Sequence, residues 1–356
     1  MNHMQNEVTM AGVSCVDCVR PALALMRKRL FQPFRFGYWS RIAVIGVFAG
    51  ELSFNSSGSS RRHTGATPSI PTFPHSAPHG FSPGWIPQHL HIIFAVIAAV
   101  VLVSLLFLYI GSVLRFVLYE AVLRDKARIR EGFARWSHPG WDYFLFRLIV
   151  GIPFVAIAIY LVGLPLFRVI QAGGGGPELF SAVAQLVGAL MLLGLLGILL
   201  AVVMVMTKDF VIPQMMFEGV SCTEGWGRLW IWIMAEPGSF IGYILLKIVL
   251  AIGAFIAYAL VLLVGLLIMI IPVGIAIAAG FVLFKVIGGG ALAIAAGVLL
   301  GLLVGLPAIL YVVGFLGAPV SVFFPAYAIY YLASRYRPLY DEVYPQPAGG
   351  QPLSII

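Results

Sequence analysis

Apolar and polar positions fall in long blocks along this chain, with no strand-like alternation. Residues 36–54, 90–114, 142–166 and 180–206 are apolar runs, and a bilayer is crossed by a helix of about 20 such residues. The first of the four is short for that task. Residues 239–322 are almost continuously apolar, broken only at Pro272, Lys285 and Gly288-Gly289-Gly290. They accommodate two long helices, three, or four short ones. Between the runs lie mixed stretches. Residues 20–35 (RPALALMRKRLFQPFR) are basic and amphipathic, and predict a helix lying on a membrane. Residues 115–138 form a charged amphipathic segment and 207–237 another mixed one. Residues 1–19 and 341–356 are polar tails, the first expected to be disordered. Residues 55–88, rich in Ser, Pro, Gly and His, predict an extramembrane loop without a core. The tail, from about 324, is aromatic and then polar.

Composition removes the soluble alternatives. The chain is 61% hydrophobic and 10% charged, with a mean hydropathy of +0.99; a soluble domain carries about a quarter charged residues. So few charges cannot cover a water-facing surface of this size. The expectation is an all-α polytopic membrane domain over 20–340. Soluble enzymes, disulfide scaffolds and nucleic-acid readers are excluded. The three cysteines make no disulfide framework. No basic stretch followed by an apolar core marks a signal peptide at the N-terminus.

Short motifs recur in order. Phe116-Val117 followed by Glu131-Gly132-Phe133-Ala134-Arg135 returns as Phe210-Val211 followed by Glu224-Gly225-Trp226-Gly227-Arg228. Pro139-Gly140 and Arg147 return as Pro237-Gly238 and Lys247; Phe167-Arg168-Val169-Ile170 returns as Phe284-Lys285-Val286-Ile287. A fainter copy, Gln32-Pro33-Phe34 with Trp39 and Arg41, opens the chain. Three degenerate repeats (about 20–114, 115–206 and 207–322), each with a surface helix and two spans, predict about six spans. Residues 239–283 are then roughly 67 Å of helix. Such a helix kinks near Pro272, projects beyond the bilayer or folds back, and a seventh span is the alternative.

Counting Lys and Arg in the six-span arrangement puts eighteen on the side of the termini and four on the other. That bias predicts cytoplasmic termini and surface helices and an external 55–88 loop.

Three stretches carry a family resemblance: Arg29-Leu30-Phe31-Gln32-Pro33-Phe34 with Trp39, Asp209-Phe210-Val211-Ile212-Pro213, and Phe323-Phe324-Pro325-Ala326-Tyr327 with Tyr340. Together they resemble an uncharacterised bacterial multi-pass family related to the membrane domain attached to some glycerophosphodiester phosphodiesterases. The resemblance implies a helical membrane fold and no established activity. No soluble α/β stretch exists here to hold the phosphodiesterase barrel.

Chemistry-bearing groups are sparse. Cys15-Val16-Asp17-Cys18 supplies only two of the four ligands of a structural zinc. His75, His79, His89 and His91 lie in or near the outer loop without a partner carboxylate. No paired intramembrane acids, metal-ligand motif or Ser/His/Asp set is present, so the expectation is a non-enzyme without cofactor. Glu51, Asp142, Glu178, Asp209 and Glu236 sit only near span ends, which speaks against a proton-driven pump.

The remaining candidates concern packing and lipid. Ser221 with Glu224 fits a capping box. Glu131–Arg135 and Glu224–Arg228 are i,i+4 pairs on surface helices. Leu118, Val122, Ile129, Phe133 and Trp136 form one helical stripe opposite Arg124, Arg128 and Arg135, which suits a helix half-sunk among anionic phosphates, or a protein partner on the basic face. Ala293, Gly297, Gly301 and Gly305 recur every four residues, a small-residue face for intramolecular packing or a homo-oligomer. Arg41, Arg147 and Lys247 occupy matching places in the repeats. They either snorkel as separate anchors to headgroups or surface acids, or form a ring of cations around one anion site. The function expected is organisation of anionic lipids or partner proteins at the cytoplasmic face. The alternative is a transporter or lipid-translocating protein, for which internal repeats and Gly/Pro breaks speak.

Overall fold

The structure, a computed structural model, describes residues 14–50, 90–125, 127–171, 176–286 and 305–344. Among these every regular element is helical. In chain order they are α1 (Val19–Phe31), α2 (Phe36–Ala49), α3 (Leu90–Arg124), α4 (Ile129–Gln171), α5 (Pro177–Met206), a π-helical turn (Thr207–Val211), α6 (Ile212–Glu218), α7 (Cys222–Ala235), α8 (Pro237–Val286), α9 (Leu306–Ala333) and α10 (Arg337–Val343).

Among the described residues, five segments are long and apolar enough to cross a membrane: Leu90–Arg124, Ile129–Gln171, Leu179–Glu218, Pro237–Gly265 and Pro307–Ala333. The first expected span is shorter, the 14-residue helix α2. It stops at Gly50, whose left-handed φ of 74° ends the helix while its N–H caps the carbonyls of Gly46 and Val47. The run after 239 is one 50-residue helix, α8, that passes through Pro272 without a break.

Two regimes of packing divide the molecule. The long arms are bare: Leu102 on α3, Ile159 on α4, Met191 on α5 and Ile252 on α8 are all well exposed. So long a run of exposed apolar side chains is foreign to soluble monomers and suits hydrocarbon, where a helix satisfies all its backbone groups internally. At one end the helices meet in a dense core. Leu30 of α1, Ile42 and Ile45 of α2, Phe116 and Tyr119 of α3, Phe210 of the π turn, Met215 of α6, Tyr243 of α8 and Tyr327 and Tyr331 of α9 are fully buried there.

Close approach is carried by glycines. A Cβ at Gly111 of α3 would stand 2.5 Å from the Phe48 carbonyl oxygen, and one at Gly314 of α9 would stand 2.8 Å from that of Ala43. α2 is thereby wedged between α3 and α9. The repeat motifs also share a contact: Val117 packs on Gly132 and Val211 packs on Gly225.

Three sequence expectations change here. Residues 115–138 are not one surface helix. Residues 111–122 are the buried end of α3, and the helix stops before Asp125, which adopts φ 57°. An aspartate tolerates that left-handed turn, and both its carboxylate oxygens accept from Arg35 Nη2, at 2.6 and 2.7 Å. The aromatic stretch after 324 is no tail but the last turns of α9, inside the core. Residues Ser14 to Cys18 form turns, and Cys18 is buried, so the ordered chain starts before 20.

Candidate functional site

The core holds an acid and a base. Asp209 stands in the π turn four residues before Pro213, which has no N–H to offer the Asp209 carbonyl and cannot continue a regular helical ladder there. The turn widens, and Ile212 N–H reaches back to the Thr207 carbonyl. Side chains take the carbonyls next to it: Tyr119 Oη donates to Lys208 O at 3.0 Å, and Gln214 Nε2 donates to Phe210 O at 3.0 Å. Trp226 Nε1 donates to Thr207 Oγ1 at 2.9 Å. Such π turns recur at functional sites.

Asp209 has no solvent exposure. Its Oδ2 accepts from Tyr243 Oη at 2.8 Å and from Lys247 Nζ. Tyr243 and Lys247 are four apart on α8 and so share a face. The Tyr243 ring stacks on Tyr327 at 5.2 Å and lies 4.5 Å from Tyr331, and Lys247 Nζ lies 5.7 Å from the Phe324 ring. Asp209 Oδ1 and Tyr327 Oη have no hydrogen-bond partner among the described residues.

A second charged place is a surface cleft of about 350 Å³ between the start of α2 and the α3–α4 link. Arg35, Arg41 and Arg128 line it, with Asp125 as the acid among them. Arg128 pairs with Glu131 at 2.9 Å, and Arg41 donates to the Ala127 carbonyl at 3.4 Å. Phe34 and Phe36 stand well exposed beside it.

A third is an open cavity of about 500 Å³ between α2, α3 and α4, lined by Arg115 and Arg147 together with apolar side chains. Arg147 donates to Ser112 Oγ at 3.3 Å and lies 5.7 Å over the Tyr143 ring. Arg115 donates to the Ala49 carbonyl.

The three matching cations therefore stand apart, Arg41 in the surface cleft, Arg147 in the cavity and Lys247 in the core. Lys247 turns inward rather than snorkelling. The two surface pairs differ as well. Arg228 bridges Glu224, at 2.8 Å, and Glu218. Arg135 instead reaches Glu120 at 2.6 Å, where Trp136 Nε1 also donates, at 2.7 Å. Arg124 pairs with Glu342 at 3.0 Å. Ser221 caps α7 by accepting from Glu224 N at 3.2 Å. Ala293, Gly297, Gly301, His75, His79 and His89 lie outside the described residues; Gly305 sits just ahead of α9, and no described residue comes within 4 Å of where its Cβ would be. His91 is exposed on α3. Cys15 and Cys18 carry free thiols, and no cluster of three or more metal-ligating side chains occurs among the described residues.

Sequence reasoning missed Asp209 as the partner of Lys247 and missed Arg115 altogether. The usable signal for the first was an aspartate placed directly after a long apolar run with a proline four residues on.

Bare apolar arms on a one-ended aromatic core define a multi-pass helical membrane protein. The chain belongs to DUF7544, a family of unknown function whose model matches residues 13–341. No protein of curated function and no solved structure matches it.

Proposed function

We propose that this protein is a non-enzymatic, multi-pass component of a bacterial inner membrane that gathers anionic phospholipid at its cytoplasmic face. The cleft carries the reading, because Arg35, Arg41 and Arg128 all line it and Phe34 and Phe36, the neighbours of Arg35 in the chain, are exposed. Arginine forks match phosphate oxygens, and aromatic rings favour the headgroup level. The division of basic residues, eighteen against four, supports cytoplasmic termini and a span count of about six. The shared Val-on-Gly contact at 117/132 and 211/225 supports the repeats. The resemblance to the membrane domain attached to phosphodiesterases fits a lipid-facing role. A protein partner or a second copy on the basic face belongs to the same reading.

Lipid analysis of the purified chain tests it. Phosphatidylglycerol is expected to be enriched over phosphatidylcholine in a salt-sensitive way, and the double variant Arg41→Gln, Arg128→Gln is expected to lose that enrichment. Equal retention of both lipids by the unmodified chain rejects the proposal.

A transporter or lipid-translocating protein is the second reading. The buried Asp209–Lys247 pair on a π turn favours it, since coupled carriers keep ionisable groups inside the bundle. Flux of a headgroup-labelled lipid across vesicles holding the unmodified protein, above that of protein-free vesicles, separates this reading from the first.

A further inference from the structure

Asp125 is shared between two arginines. Its two carboxylate oxygens accept from Arg35 Nη2 at 2.6 and 2.7 Å, and its Oδ2 lies 3.6 Å from Arg29 Nη1. The two cations stand differently. Arg35 lines the cleft of about 350 Å³ together with Arg41 and Asp125. Arg29 is not part of that lining and donates from Nη2 to the Leu123 carbonyl at 2.6 Å, near the end of α3. The side chains of Arg35 and Asp125 are 45% and 33% exposed, and an ion pair this wet holds weakly. Arg41 donates to the Ala127 carbonyl and meets no acid among the described residues.

To a guanidinium, a carboxylate and a phosphate group look alike: each offers paired anionic oxygens to the planar fork. Arg35 is held ready for either. Its guanidinium lies 4.9 Å over the Tyr38 ring, and Tyr38 Oη is fixed by donating to the Ala121 carbonyl at 3.0 Å. Asp125 also has somewhere to go, since on leaving Arg35 it keeps Arg29 as a partner and no charge is stranded. We propose that Asp125 is an internal occupant of the cleft: a phosphate group takes the Arg35 fork from it and bridges Arg35 to Arg41, while Asp125 falls back on Arg29. The carboxylate thereby sets the affinity of the cleft below what its arginines alone would give. The inference rests on the reading that this cleft gathers anionic phospholipid, and adds how that binding is regulated.

Native mass spectrometry of the full chain in mild detergent, with phosphatidylglycerol or phosphatidylcholine added, tests the proposal. Asp125→Asn is the central variant, because asparagine tolerates the left-handed φ of 57° as aspartate does and drops the charge. Its affinity for phosphatidylglycerol is expected to rise about threefold to fivefold. Glu342→Gln is the matched control. It also removes one acid and releases one arginine, Arg124, which does not line the cleft, and it is expected to leave the affinity unchanged. Arg35→Gln is expected to weaken phosphatidylglycerol binding, and Asp125→Asn added to it to bring no gain. An equal rise in Asp125→Asn and Glu342→Gln, or a gain that persists without Arg35, overturns the exchange. So does phosphatidylglycerol enrichment by the unmodified chain with no gain in Asp125→Asn, an outcome that leaves the lipid reading standing. If Asp125→Asn fails to fold, Arg35→Gln decides: weakened binding supports the exchange, and unchanged binding means that no phosphate takes the fork. Equal retention of both lipids by the unmodified chain rejects the lipid reading. The exchange then stands, for a free anion, only if inorganic phosphate added alone binds more tightly to Asp125→Asn than to the unmodified chain; otherwise it falls as well.

Discussion

Lys247 aims its ammonium at Asp209, 38 positions earlier in the chain, and the two form a buried ion pair inside the aromatic core. Removing either partner strands the other charge out of water, which typically costs about 3–5 kcal/mol. Asp209→Asn and Lys247→Met are each expected to lower thermal stability in detergent strongly. The double variant should regain much of the loss. Additive losses in that cycle would show that the two side chains do not act as a unit.

The wedge of α2 gives a second expectation. At Gly111 an alanine Cβ collides with the Phe48 carbonyl oxygen, and overpacking of this kind costs about 1–3 kcal/mol. Gly151 on α4 has no atom of the described residues within 4 Å of its would-be Cβ, so Gly151→Ala should leave stability unchanged or slightly raised. Equal melting temperatures for Gly111→Ala and the unmodified chain would rule out the tight contact.

The thiols give a pH dependence. Burial pushes the Cys222 thiol up to about 12, with the Asp142 carboxylate acting in the same direction. Burial pushes Cys18 up to about 11, against the opposing pull of Arg335. Both groups start from 9.0, so the folded chain holds these protons more tightly than the unfolded one. Their contribution to stability is complete below pH 9 and is lost as the pH climbs through 11 and 12. Alkylation of the native chain near pH 8 should therefore mark half-buried Cys15 first, with Cys18 and Cys222 following only on unfolding. Adduct counting by mass checks this, and native labelling of Cys222 at the rate of Cys15 would contradict it.

Topology has a direct check. A reporter fused after Ile356 is expected to be active only in the cytoplasm, given the distribution of basic residues. Activity on the outer side would overturn the arrangement of six spans with both ends cytoplasmic.

The helical class was legible because apolar runs of span length admit no other backbone in a bilayer. What lies opposite each apolar face was not. Leu118 and Val122 have the spacing of a helix resting on lipid, and the same spacing serves a helix sunk in protein, as α3 is here. Phe324, Tyr327 and Tyr331 look like an interfacial belt in sequence and are core in space. The Asp209–Lys247 pair depends on two helices meeting, and no local pattern encodes that meeting. Arg115 carried no motif of its own; its interest comes from the cavity it shares with Arg147.

Because α9 lies against α1 and α2, the two ends of the chain must meet before the core exists. Trp39 Nε1 donates to the carbonyl of Phe315 across 276 positions. At synthesis rates of about 5–20 residues per second, that is a wait of roughly 15–55 s. During it, the first helices leave the ribosome with Ile42 and Ile45 uncovered. Biogenesis of this protein thus has a long interval in which the early helices wait for their last partner, and a chain cut short before α9 is expected to keep part of the face of α2 uncovered.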